Sequence, residues 1–165
     1  MTDRATAPES AKLLKAHLRR VFPGVAFSVR LSRGTGYGYC DISWTDGPTE
    51  PAVMDVARPY QGTTFNGMID LEEYVAGANL PDGRRTGLRG IACTRHLSAA
   101  LLRDLVAQVG VDYHVPRENW PTVIESEFGA HLDGTADRTS PIVNGSPYHH
   151  SWQALVWRAS RGDDR

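Results

Sequence analysis

Arg30, Arg33, Tyr37 and Tyr39 bring together the two side-chain types that hold single-stranded nucleic acid. Bases stack on aromatic rings, and guanidinium groups pair with phosphates. In an alternating strand pattern Tyr37 and Tyr39 fall on the face opposite Cys40 and Ile42. Arg30 faces the same way on the partner strand, and Arg33 sits in the loop between them. Arg89, from a later basic run, is the fifth nucleic-acid-binding candidate. A competing reading has this face covered by the C-terminal helix or by residues 111–147, which makes Tyr37 and Tyr39 secondary core.

Other chemistry finds less support. Gly34-Thr35-Gly36-Tyr37-Gly38 is glycine-rich but lies in a hairpin, so it lacks the helix N-terminus of a phosphate loop. There is no Gly-x-Ser-x-Gly elbow. Glu72-Glu73 and Asp163-Asp164 are adjacent carboxylates that read as solvated surface. Cys93 and His96 have a metal-like spacing, but His149 and His150 are neighbours that point apart on a helix. No residue is nominated as catalytic or metal-binding, and no cofactor is implied. The two cysteines, Cys40 and Cys93, read as buried free thiols of a reducing compartment.

The 165 residues carry a net charge of -1, which excludes a chain basic throughout. That figure conceals segregation: residues 1–35 are +5, 36–83 are -7, 84–103 are +5 and 104–165 are -4. Such blocks either neutralise one another in the fold or form a local basic strip. No apolar run approaches the roughly 18 residues of a membrane span. The first residues lack the apolar core of a secretory signal, so a cytoplasmic location is expected.

The elements that must position these residues are legible over the first two thirds of the chain. Thr6 and Glu9 form a capping box, and Ala11, Leu14, Leu18 and Val21 recur at helical spacing until Phe22-Pro23-Gly24. Residues 25–31 alternate as a strand, as do 39–44, with Cys40, Ile42 and Trp44 inward. Asp46-Gly47-Pro48 is a turn, and Thr49 opens a helix of about ten residues that turns Val53, Val56, Ala57 and Tyr60 inward. A third strand over 88–95 puts Arg89 and Arg95 on the face of Ile91 and Cys93, a conflict that a bulge near Gly90 or a strand buried on both faces would relieve. Ser98 caps a helix over 99–109 ended by Gly110. Beyond it, residues 120–128 read as a short helix and 148–160 as a terminal one, with Trp152, Leu155, Val156 and Ala159 as its apolar stripe.

Four segments in order resemble a known family. They are Phe22-Pro23-Gly24-Val25-Ala26-Phe27-Ser28-Val29-Arg30, Ile42-Ser43-Trp44-Thr45-Asp46-Gly47-Pro48-Thr49, Phe65-Asn66-Gly67-Met68-Ile69-Asp70 and Cys93-Thr94-Arg95-His96-Leu97-Ser98. Together they are similar to the large polyvalent protein-associated domain, the twenty-ninth of that set, over about residues 10–110. Asn66 departs from the pattern, where an acidic residue is expected. The resemblance implies an α+β domain of bacterial mobile elements, phages and stand-alone bacterial proteins. It brings no established mechanism or site residues.

The expected fold is α+β: an antiparallel sheet of three or more strands with helices on one face, over residues 1–110. A loop-rich extension, 111–165, ends in a helix and packs on the same domain. The expected function is non-enzymatic binding of nucleic acid or a host protein, for a bacterium or its mobile element. Two alternatives stand beside it. One is a homodimeric interaction module using Trp152 or Trp157. The other is a hydrolase using His114, His131, His149 or His150.

Overall fold

The computed structural model describes residues 3–66, 68, 71–75, 79–127, 129–134, 136, 139–141 and 150–162. The first helix, α1, spans Ala7–Val21. Its capping box forms as read: Glu9 N–H donates to Thr6 Oγ1 at 3.4 Å, and Thr6 N–H donates to the Glu9 carboxylate at 2.7 Å. Leu14 and Leu18 are fully buried, each contributing about 1.5–3 kcal/mol of hydrophobic stabilisation. Val21, expected on the same stripe, is instead exposed in the last turn.

Two strands follow, β1 (Ser28–Leu31) and β2 (Cys40–Thr45), paired antiparallel with Val29 opposite Ile42 and Arg30 opposite Asp41. Cys40, Ile42 and Trp44 point into the core, as their alternation requires. The Trp44 indole packs on Phe27 at 5.6 Å and donates from Nε1 to the Pro48 carbonyl at 2.9 Å. Asp46 and Gly47 both take positive φ in the intervening turn. Helix α2 (Glu50–Ala57) continues into a 3-10 turn that buries Tyr60.

A two-stranded ribbon comes next, β3 (Thr63–Asn66) and β4 (Leu71–Tyr74), antiparallel with Thr63 opposite Tyr74. Gly67, Ile69 and Asp70 of the third family segment lie outside the described residues. Strand β5 (Ile91–His96) joins β2, giving the sheet order β1-β2-β5. It begins at Ile91 rather than Leu88: Arg89 N–H donates to the Gly38 carbonyl at 2.7 Å and Cys40 N–H to that of Gly90 at 2.9 Å, but the residues before them turn to other partners. Gly62 N–H and Thr63 N–H donate to the carbonyls of Leu88 and Arg89, each at 3.0 Å. Thr86 Oγ1 donates to the Tyr60 carbonyl at 2.7 Å, and Gly87 N–H donates to Ser10 Oγ at 2.9 Å. A side chain at position 87 would strike backbone atoms of Thr6 and Ala7 within 2.6 Å, so this close crossing needs glycine.

The conflict in β5 resolves at both ends. Arg89 lies before β5 and emerges on the outer face, its guanidinium over the Tyr39 ring, so it does not share the side of Ile91 and Cys93. Arg95 keeps the inward side of Ile91 and Cys93 but reaches the turn after β2. Its Nε donates to the Asp46 carbonyl at 3.1 Å and its Nη2 to that of Gly47 at 3.0 Å.

The described chain divides into two compact units, Met1–Arg95 and His96–Arg165. The first has the core just described. The second is built on α3 (Ala99–Asp112) and the terminal helix α4 (Trp152–Arg161), with Leu102, Leu105, Val106, Trp152, Leu155 and Val156 buried. Two expectations for this unit are corrected. Gly110 does not end α3: the helix runs to Asp112, and His114 supplies the left-handed residue after it at φ 54°. The described residues 120–127, expected as a helix, instead include the first arm of a hairpin, β6 (Val123–Ser126) paired with β7 (Gly129–Leu132). The β-branched pair Val123-Ile124 suits a strand, and Gly129 at φ 109° turns the chain. Phe128, part of that reading, lies outside the described residues.

Candidate nucleic-acid interface

Antiparallel pairing of β1 and β2 leaves the outer face of the sheet to the alternate residues, Arg30 on one strand and Tyr39 and Asp41 on the other. The connecting loop is a 3-10 turn, Gly34–Gly36, flanked by Arg33 and Tyr37. Gly34 and Gly38 take positive φ, and Tyr37 N–H donates to the Gly34 carbonyl at 3.1 Å. Arg30 and Arg33 are exposed, and the Tyr37 ring is 57% exposed, so Tyr37 is not secondary core.

Tyr39 and Arg89 stand differently. The Tyr39 hydroxyl donates to Glu72 Oε1, while Arg89 donates to Glu72 Oε2 from Nε at 3.0 Å and Nη2 at 2.5 Å. The Arg89 guanidinium also lies over the Tyr39 ring, 5.2 Å from its centroid. Two glycines allow this approach. A Cβ on Gly90 would meet the Tyr39 ring at 2.6 Å, and one on Gly38 would meet the Arg89 stem at 3.0 Å. Glu72 therefore corrects the reading of Glu72-Glu73 as a solvated pair. It is half-buried and joins the β3–β4 ribbon to two of the five candidate residues. The period-two pattern of Leu71-Glu72-Glu73-Tyr74, which puts Glu72 and Glu73 on opposite faces, is the signal that could have found it.

The face thus has an open half, Arg30, Arg33 and Tyr37, and a half closed by Glu72. Asp41 lies directly opposite Arg30, which dilutes the positive field. A groove of about 280 Å³ beside Tyr39 has Asp41, Gln61 and Glu72 in its wall, an acidic lining that repels phosphate. Three of the five arginines of the second basic block, Arg84, Arg89 and Arg103, pair with carboxylates. Arg84 pairs with Glu9 at 3.2 Å and with Asp82 at 2.9 Å, and Arg103 pairs with Glu125 at 2.7 Å. The Thr6 N–H and hydroxyl, with Arg84, hold the Glu9 carboxyl down at about 2.

The remaining candidates separate. Cys40 and Cys93 are free thiols on neighbouring strands, and burial pushes both up to about 11, which disfavours the reactive thiolate. Cys93 faces inward and His96 outward, since an odd spacing on a strand reverses the side. Among the described residues no three of His, Cys, Asp and Glu group as metal ligands. His114 and His131 are exposed, and His149 lies outside the described residues. His17, not singled out from sequence, shares a 3.0 Å hydrogen bond between Nδ1 and the Tyr60 hydroxyl. Trp152 is 1% exposed and belongs to the core of the second unit, so it offers no docking surface, whereas Trp157 is 52% exposed. No described helix is long and apolar enough to cross a membrane.

Comparison with known proteins adds one finding. No curated protein and no solved structure matches the chain. A family model described as large polyvalent protein associated domain 29 matches residues 5–98. The matched stretch takes in α1, the three-stranded sheet and the ribbon, and stops before α3. With more than half its length in that match and the fold to accompany it, the chain belongs to the large polyvalent protein associated domain 29 family.

Proposed function

We propose that the protein is a non-enzymatic binding domain of a bacterium or its mobile element, and that it contacts single-stranded nucleic acid through the β1–β2 hairpin. The observation that carries this is Tyr37, an exposed ring at a hairpin tip beside two exposed arginines, Arg30 and Arg33. A ring of this kind stacks on any base, and the guanidinium groups supply the phosphate contacts. Tyr39 and Arg89 form a reserve behind Glu72, which competes with phosphate for both.

Fluorescence anisotropy with a labelled single-stranded oligonucleotide at low salt tests the reading. Binding is expected to fall about tenfold or more in Tyr37→Ala. Glu72→Gln is expected to tighten it by releasing Tyr39 and Arg89. Log affinity against log salt should slope by about -0.7 for each phosphate contacted. Failure of both single-stranded DNA and RNA to bind at low salt overturns the nucleic-acid reading.

A second reading rests on the second unit. Trp157 is exposed on α4 with the Arg161 guanidinium 4.5 Å from its ring centroid, an aromatic–arginine pair of the kind enriched at protein interfaces. Sedimentation tests it: a concentration-dependent dimer lost in Trp157→Ala supports a homodimer, and a clean monomer removes it.

A further inference from the structure

A cavity of about 340 Å³ in the first unit is lined by Arg4, Gly62, Tyr74, Val75, Arg85 and Thr86, none of which belongs to the hairpin face. Its size falls within the range of about 300–1,000 Å³ typical of small-ligand pockets. The backbone places its two cations. Ala5 N–H donates to the Arg85 carbonyl at 2.9 Å and Arg85 N–H donates to that of Asp3 at 3.0 Å, which makes Arg4 and Arg85 partners in a parallel β-bridge. Bridge partners project to the same side, so both arginine side chains leave the backbone on one face and line the same cavity, where like charges repel. Arg84, the preceding residue, points the other way and takes both neighbouring carboxylates, Glu9 and Asp82.

Among the described residues the cavity has no carboxylate in its lining. Arg4 Nε donates to the Thr86 carbonyl at 3.2 Å, a tether that orients the guanidinium without neutralising it. Thr86 is buried, with its hydroxyl committed to Tyr60 and Leu88, and serves as floor. Glycine at position 62 lets the backbone pass close to the Leu88 carbonyl, which a Cβ there would meet at 2.5 Å. At the rim stands the Tyr74 ring, 72% exposed, on the strand face it shares with Glu72. Paired arginines match the oxygens of a phosphate, and an exposed ring matches a planar base.

We propose that this cavity binds a phosphomonoester carried by a planar ring. The phosphate bridges Arg4 and Arg85, and the ring lies against Tyr74. A free nucleoside monophosphate and the phosphorylated end of a strand share this chemistry. The site uses none of the hairpin residues and stands or falls apart from them.

Isothermal titration at constant ionic strength, using AMP, adenosine, inorganic phosphate and a dinucleotide with or without a 5′-phosphate, tests it directly. AMP is expected to bind, with adenosine and inorganic phosphate each weaker by about tenfold or more. Arg85→Gln should lose about tenfold to a hundredfold for AMP. Tyr74→Ala should weaken AMP while leaving inorganic phosphate unchanged. Arg85→Glu should abolish binding and raise the melting temperature of the unliganded protein, because position 85 then attracts Arg4 instead of repelling it. Lys12→Gln, which removes an exposed cation elsewhere on α1, should bind AMP as the parent does. Capture of the 5′-phosphorylated dinucleotide but not its 5′-hydroxyl form assigns a strand end, and capture of AMP alone assigns a free nucleotide. The proposal is overturned if neither AMP nor the phosphorylated dinucleotide binds, or if Arg85→Gln and Tyr74→Ala both bind AMP as the parent does.

Discussion

Thr6 and Glu9 illustrate how a local pattern becomes a measurable contribution. The Thr6 hydroxyl satisfies one of the open N–H groups at the start of α1, and Glu9 satisfies another. Thr6→Ala is expected to destabilise the first unit by about 1 kcal/mol, read as a lower urea midpoint. Because Glu9 has its carboxyl held below the usual 4.5, its contribution is present above that pH and is lost as pH falls toward about 2. His17 acts in a different window. Desolvation and the nearby Arg20 charge lower it from 6.5, so the folded protein favours the neutral ring that meets Tyr60. Below pH 6.5 the unfolded chain takes up the proton first, so stability is expected to fall as pH drops from neutral to about 5. Urea titrations at the two pH values check this, and His17→Gln should show a smaller difference than the parent.

Elements were legible where one local signal agreed with another. α1 has a capping box, an apolar stripe and a Pro-Gly stop, and β2 has strict alternation ended by Asp46-Gly47, so both could be read from sequence. Arg30 was placed through that alternation and Arg33 through the loop signal, whereas Tyr37, read onto the strand face, stands in the loop before β2. The clamp on Tyr39 and Arg89 was not legible, because Glu72 reaches them from a strand that a local pattern cannot bring alongside. α3 shows the opposite failure. Gly110 reads as a terminator, yet it lies inside the helix because the Trp120 indole occupies the place of its absent Cβ, with Nε1 donating to the Val115 carbonyl at 3.0 Å. Gly110→Ala therefore sets two effects against each other. The helix gains about 1 kcal/mol in propensity, while overpacking against the ring costs about 1–3 kcal/mol. A net loss is expected, measured by urea denaturation, and Gly110→Ala combined with Trp120→Ala should recover part of the propensity gain.

At the scale of the molecule, the net charge of -1 conceals the use made of individual charges. Arg84, Arg89 and Arg103 pair with carboxylates, and Arg95 holds backbone carbonyls of a turn, so the basic run 84–103 builds the fold more than it charges the surface. Exposed pairs of this type contribute little to stability. The two units have separate cores, and the family match ends close to where the first unit does. A fragment of residues 1–98 is accordingly expected to unfold cooperatively on its own, as judged by coincident circular dichroism and tryptophan fluorescence transitions. Non-coincident transitions would show that it needs the second unit.

The two thiols provide a built-in clock for that experiment. Cys40 and Cys93 are the only cysteines, and both sit in β2 and β5, with burial holding them near 11. Cys40 is buried and Cys93 only half-buried, so an alkylating reagent at neutral pH must wait for the sheet to open before it reaches Cys40, and that slower rate counts openings of the first unit alone. The second unit, with no sulfhydryl, stays silent to the same reagent, so one chain reports on the breathing of one half without any label being introduced.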